Sequence, residues 1–399
     1  MSKHFSKCSE EWFLLLNDLT SRLRLWSNEH SVFAPRNAIS RSRLERSPFI
    51  IAKAFVGLFL TPKRNFLGEV EYILEGLRNV EYIKNYPPST VLILGSWSEA
   101  NFAKSVGYKF YWSFPIECSL ILKKVYNINL FINYQFSVWS KALILGNKKF
   151  VLLYEDTQPQ GCFFAALTKH SLLNSNCKAI CIQHGYFSDS GSYSIVDGSF
   201  TEFNFVWDVH SIKLIGCDPL KSFDIGPQFQ LRPLNRKLSK VIFVGLGSNY
   251  DGTSDYEYSL EYFHKIIHLV NSDLRSKLVY RPHPCELSDK KSLNKLHKLF
   301  ENVEYPVKGQ ILTKERHVFV GSHSSLLFEA AYCGHVVIIL SICKGIVFTV
   351  NTEFNFRDVQ EELVAQQINK LLMEDSPVFP EIRLPQYSFR SAIRKIHSY

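Results

Sequence analysis

The run Leu278-Val279-Tyr280-Arg281-Pro282-His283-Pro284 leads from an apolar stretch into an arginine and a histidine fenced by two prolines. Proline fixes its own φ and keeps the residue before it out of helical geometry, so His283 stands on a stiff turn. An imidazole held there beside a guanidinium can donate to a phosphate oxygen, or pass it a proton as it departs. Further along, Val320-Gly321-Ser322-His323 runs into Ser324-Ser325-Leu326-Leu327-Phe328-Glu329. Ser324 or Ser325 can cap a helix whose first amides are unpaired and whose dipole favours an anion. Glu329 falls i,i+4 from Ser325 on the same helix face, where its carboxylate could accept both hydroxyls of a ribose. Cys285 and Glu286, beside the histidine, are expected to be ordinary turn residues.

A second group of polar residues follows apolar runs nearer the N-terminus. Phe150-Val151-Leu152-Leu153-Tyr154 ends in Glu155-Asp156, and Ala179-Ile180-Cys181-Ile182-Gln183 ends in His184-Gly185. A carboxylate at such a place can act as general base on a hydroxyl. His184 is the rival base, and spacing alone does not separate it from Glu155 or Asp156. Adjacent residues of an extended strand point to opposite sides, so one of the two carboxylates faces any given cleft. Gly245-Leu246-Gly247-Ser248 also follows an apolar run but lacks the third glycine of a dinucleotide fingerprint. Gly247 therefore reads as a phosphate-contacting turn or as a plain tight turn. The chain has no GxxxxGK[ST], HExxH or GxSxG motif, which removes support for ATPase, zinc-protease and α/β-hydrolase chemistry.

These residues need strands to carry them to one edge. Val91 to Gly95, Phe150 to Tyr154, Ala179 to Gln183 and Phe203 to Trp207 read as strands buried on both faces. A second series holds strands at Val241 to Gly245, Lys277 to Tyr280, His317 to Val320 and Val336 to Leu340. Helices are expected near 256–272, 288–300, 325–333 and 357–374. Strands alternating with helices imply parallel sheets, and ligands gather at the carboxyl ends of such strands. The expectation is an α/β protein of two Rossmann-like domains facing a central cleft. Its parts are a helical, basic segment over 1–89, an acceptor domain over 90–237, a donor domain over 238–375, and a tail over 376–399.

Composition fits that reading. Of 399 residues 46% are hydrophobic, and the net charge of +9 suits an acidic partner, whether a phosphorylated substrate or anionic lipid. Nucleic acid is not expected, because no RNP, KH or helix-turn-helix signature accompanies the charge. Nine scattered cysteines with no CxxC pair are expected to be reduced thiols in a cytoplasmic protein. No apolar run reaches the ~18–20 residues that a spanning helix needs, and the N-terminus lacks a signal-type h-region. Residues 9–27 have helical periodicity. The run from Pro48 to Leu60, between Arg36, Arg41, Arg43 and Arg46 and the pair Lys63-Arg64, reads as a buried helix with a basic flank; an interfacial helix is the alternative.

Gln183-His184-Gly185, Val206-Trp207, Arg281-Pro282-His283-Pro284 and Ser324-Ser325 with Glu329 together resemble bacterial GT-B transferases of surface-polysaccharide assembly. The His-Pro and Ser-Ser motifs are similar to those of sialyltransferases and polysialyltransferases that use CMP-sialic acid. The resemblance implies that His283, with Arg281, contacts the CMP phosphate and that Ser324 and Ser325 bind it too. It further implies that Glu329 binds the ribose and that Asp156 or Glu155 deprotonates the acceptor. Tyr154-Glu155-Asp156-Thr157 departs from the family pattern by placing threonine where glycine is expected, which leaves the base open. The Gln-His-Gly motif is commoner in Kdo and polyol-phosphate capsule transferases. The activity implied by the resemblance is an inverting transfer of sialic acid from CMP-sialic acid to a lipid-linked oligosaccharide of O-antigen or capsule; a CMP-Kdo or CDP-polyol capsule transferase of the same fold, or a non-catalytic sugar-nucleotide-binding assembly protein, is the alternative. No metal or cofactor is expected, and the enzyme would lie in the cytoplasm, peripheral to the inner face of the bacterial inner membrane.

Overall fold

The computed structural model describes residues 49–59, 62, 64–126, 128–154, 159–169, 176–183, 201–208, 211–212, 218–227, 237–245, 254–288, 290–305, 314–321, 324–341, 355–357, 360–374 and 384–399. The chain divides into two compact units. Among the described residues, unit 1 holds those from 49 to 183, from 201 to 227 and from 385 onward, and unit 2 holds those from 237 to 384.

Unit 1 is built on seven strands: β1 (Tyr72–Glu75), β2 (Val91–Gly95), β3 (Lys109–Trp112), β4 (Lys149–Leu153), β5 (Cys177–Ile182), β6 (Phe203–Val206) and β7 (Ser222–Asp224). Their order is β3-β2-β1-β4-β5-β6-β7 and every pairing is parallel. Two core clusters use the period-2 alternation of these strands. Ile73, Leu92, Leu94, Val151 and Leu153 face one way, toward Trp139, Phe163 and Phe164 on helices. Tyr72, Leu74, Val91, Ile93, Phe150 and Leu152 face the other. Onto that second face folds the last helix, Phe389–His397, through Ala392, Ile393 and Ile396.

Two parts of unit 1 differ from the sequence expectation. The first strand, β1, lies inside the stretch read as preceding the α/β region, yet it holds the middle of the sheet. The residues after 385, read as a tail, supply core to unit 1.

Helix Phe49–Phe59 has a mixed character. Ala54 and Gly57 are buried, and a Cβ on Gly57 would meet Pro115, so glycine permits the close approach of the next helix, Phe114–Tyr126. Its other side leaves Ile51, Phe55 and Val56 exposed, Phe55 at 52%. The sequence expectation of a buried helix holds for one face only. No helix among the described residues is long and apolar enough to cross a membrane.

Unit 2 carries five parallel strands: β8 (Leu238–Val244), β9 (Leu278–Arg281), β10 (Arg316–Gly321), β11 (Val336–Ser341) and β12 (Asn355–Arg357). Their order is β12-β11-β10-β8-β9. The chain first winds outward to β9 and then crosses back to β10, so the topological switch point lies beside β8. Val241, Phe243, Val318, Val320, Ile338 and Leu340 pack on helices Ser254–Leu269 and Glu361–Met373. Both units are therefore doubly wound α/β structures, as the alternating pattern required.

Cys118, Cys162, Cys177, Cys181 and Cys333 are buried, and burial pushes the Cys177 thiol up to about 12. The closing helix supplies a test of the unit 1 core. Ile396 is buried against the sheet, so Ile396→Ala should cost about 2–5 kcal/mol, measured by urea denaturation. A loss under about 0.5 kcal/mol, the scale of a surface change, would show that the helix does not belong to that core.

Candidate functional site

Parallel strands bring the chemistry-bearing residues of unit 2 to one edge. β9 ends in Arg281 and passes through Pro282 into the His283 turn; β8 ends at Val244, just before Gly245; β10 ends at Gly321, shortly before Ser324. Since β8 lies between β9 and β10, the histidine turn and the serine helix flank its end on either side. Gly245 offers no side chain there.

Helix Ser325–Tyr332 opens at Ser324, whose hydroxyl oxygen accepts from the Leu326 amide at 3.3 Å. That contact uses a lone pair and leaves the hydroxyl proton available for donation. Ser324 therefore caps the helix and remains able to serve an anion. Ser325 is the first helical residue, and its backbone amide is among those that a helix leaves unpaired.

Arg281 is coupled electrostatically to Glu329 and to His283. Burial pushes Glu329 up to about 7, with Arg281 pulling the other way. Burial lowers Arg281, while Glu329 and Glu304 hold it up. Burial, and then the neighbouring Arg281 charge, push His283 below the usual histidine value. In the unliganded protein the imidazole is thus neutral at physiological pH. An anion placed beside it would draw its pKa back up and favour the protonated, donating form.

Glu286 departs from its sequence expectation. It is fully buried, and its carboxylate accepts from the hydroxyls of Tyr256 at 2.8 Å and Tyr280 at 2.9 Å and from the His283 amide at 2.5 Å. The signal was present: proline at the first position of helix Pro284–Ser288 and glutamate at the third match one arm of a capping box. What the sequence did not disclose is that two tyrosine hydroxyls converge on the same carboxylate.

In unit 1, Glu155, Asp156 and His184 lie outside the described residues, as does Gly247 in unit 2. The strands before them are placed. β4 is one of the two strands at the switch point of the seven-stranded sheet, with β1, so Glu155 and Asp156 follow a strand at that point. Gln183, just before His184, is buried; its side-chain oxygen accepts from the Trp207 amide at 2.8 Å and its own amide donates to Phe205. The glutamine of the Gln-His-Gly motif thus ties the end of β5 to the end of β6. The same edge carries carboxylates that sequence reading passed over. Glu75 accepts from the Tyr154 amide at 2.9 Å, and Arg78 stacks 3.7 Å over the Tyr154 ring. Glu99 accepts from Ser96 and Leu77 amides, and burial raises Glu117.

No protein-family model matches the chain, and no curated protein matches it by sequence. Several solved structures resemble it distantly. The pneumococcal O-GlcNAc transferase GtfA, in complex with UDP and GlcNAc, is 12% identical over 60% of this chain, with a TM-score of 0.37. This chain spans about half the length of GtfA, 52%. The calicheamicin glycosyltransferase CalG4 is 12% identical over 82% of this chain and 93% of its own, with a TM-score of 0.40. The wall teichoic acid polymerase TagF is 10% identical over 91% of both chains, with a TM-score of 0.44.

The titration of Glu329 gives a direct expectation. A carboxylate accepting ribose hydroxyls must be ionised, so nucleotide affinity should strengthen as the pH rises through about 7. Calorimetric titration should show that rise in the wild type and its loss in Glu329→Gln. The same pH dependence in both proteins would remove Glu329 from the site.

Proposed function

We propose that the protein is a glycosyltransferase of GT-B type in which unit 2 holds a nucleotide-activated sugar and unit 1 receives the acceptor. The observation that carries this reading is the convergence of Arg281, His283, Ser324 and Glu329 at strand ends around Gly245 in unit 2. A stiff histidine, a guanidinium and a helix start suit a phosphate, and a carboxylate one helical turn on suits a ribose. Direct donors to the phosphate would take over the charge stabilisation that a cation otherwise supplies.

At the level of substrate, the reading is transfer of sialic acid from CMP-sialic acid to a lipid-linked oligosaccharide of O-antigen or capsule, by inverting displacement. His283-Pro284 and Ser324-Ser325 support it, with Glu155-Asp156 supplying the base. A second reading, a CMP-Kdo or CDP-polyol donor at the same phosphate site, is favoured by Gln183-His184-Gly185. A donor screen with purified protein separates them. Release of CMP from CMP-sialic acid supports the first, and turnover only of CMP-Kdo or a CDP-polyol supports the second. Nucleotide binding without turnover of any donor would contradict both. His283→Ala should lower turnover by roughly 10²–10⁴-fold while the fold persists; near-normal activity would remove the histidine from the mechanism.

The reading also has the enzyme work at an anionic membrane surface. Ile51, Phe55 and Val56 are exposed on helix Phe49–Phe59, and Leu130 and Tyr134 on helix Leu130–Leu143, where Phe131 packs against Phe55. Between residues 36 and 64 the sequence has seven Lys or Arg and one Glu, the kind of basic flank that anionic lipid attracts. The protein should co-sediment with vesicles rich in anionic lipid and much less with neutral ones, and Phe55→Asp should weaken that binding. Equal recovery with both vesicle types would contradict membrane attachment by charge.

A further inference from the structure

The His283 turn has one amide donor, because Pro282 and Pro284 have none. That donor points inward, to the Glu286 carboxylate. The backbone of the Pro-His-Pro turn therefore has no amide left to donate to an anion, so His283 can donate only through its imidazole, whose position depends on what holds the His283 backbone. Glu286 is held in turn by hydroxyls from two different elements: Tyr280 on β9 and Tyr256 on helix Ser254–Leu269.

The surroundings leave this carboxylate little freedom. A Cβ on Gly245 would stand 2.3 Å from Glu286 Oε2, 2.7 Å from the Tyr280 hydroxyl and 3.0 Å from the His283 amide. Glycine at the end of β8 is thus what admits the carboxylate beneath the turn. Tyr280 is itself clamped, stacked on Phe300 with ring centroids 4.3 Å apart and planes 10° from parallel. An ordinary capping glutamate lies at the surface and does no more than satisfy an amide. This one is removed from water, and burying a carboxylate is costly unless its hydrogen bonds are met. Three donors meet them.

We infer that Glu286 is a positioning residue for His283: with Tyr256 and Tyr280 it fixes the turn so that the imidazole reaches the donor phosphate. This rests on the phosphate role proposed for His283. Glu286 touches no substrate and acts only through the histidine. Hydrogen bonds around a functional side chain are worth about 10–100-fold when they orient it, and a displacement near 1 Å can cost about 100-fold.

The test is a double-mutant cycle on the full-length protein with Glu286→Gln, His283→Ala and the pair, after circular dichroism melts confirm that each is folded. An amide cannot accept from all three donors, so Glu286→Gln alone should lower turnover about 10–100-fold. In the His283→Ala background the same change should cost less than about twofold, since its effect passes through the missing ring. An equal fold-loss in both backgrounds would overturn the inference and leave Glu286 a general structural residue. If Glu286→Gln does not fold, Tyr256→Phe enters the same cycle, removing one of the three donors while keeping the ring. A second readout needs no turnover. The His283 imidazole, followed by NMR during a pH titration of the unliganded protein, should shift its titration midpoint in Glu286→Gln or Tyr256→Phe. An unchanged midpoint would mean that the lock does not set the ring. Were wild type and His283→Ala equally inactive with every donor, the transferase reading would fall, and the NMR titration would still decide whether Glu286 fixes the histidine.

Discussion

Parallel pairing makes every strand of a sheet end on the same edge as its neighbours, and each connection must cross back over a face before the next strand begins. Among the described residues all ten strand pairings obey that constraint. Polar residues just beyond apolar runs are therefore collected at an edge even when they lie far apart in sequence. In unit 2 the constraint sets the Arg281-Pro282-His283 turn on one side of the end of β8 and the Ser324 helix start on the other. The strand order puts the switch point between β8 and β10, beside the Ser324 helix start, with the His283 turn one strand further out.

At that edge the electrostatics are balanced rather than neutralised. Glu329 and Arg281 moderate each other, yet burial still dominates both. The result is a carboxylate that titrates near neutrality beside a histidine whose pKa burial and the Arg281 charge lower. Below them Glu286 takes the opposite role. Its hydrogen bonds are all met from within, so it rigidifies the turn rather than reaching outward.

Much of this could be read from the residues. Long runs of β-branched and aliphatic residues such as Val91 to Gly95 and Val336 to Leu340 announce strands buried on both faces, and the alternation with helices gives the parallel sheets. The Pro-His-Pro turn and the Ser-Ser helix start were legible because proline and serine have strong local preferences. β1 and β3 were not, because tertiary pairing, rather than any local pattern, makes them strands. The return of Phe389–His397 to unit 1 depends on contacts hundreds of residues apart in sequence. Glu286 had a capping-box spacing, but its burial depends on Gly245, Tyr256 and Tyr280, whose convergence only the fold supplies.

The central claim is that the edge of unit 2 formed by β8, β9 and β10 is a nucleotide site. Hydrogen–deuterium exchange of the full-length protein, with and without CMP, addresses it most directly because it needs neither the sugar nor the acceptor. The account predicts slowed exchange in peptides covering 278–288 and 324–332, with the strands behind them unchanged. Slowed exchange elsewhere with none in those two peptides, or no change at saturating nucleotide, would contradict it.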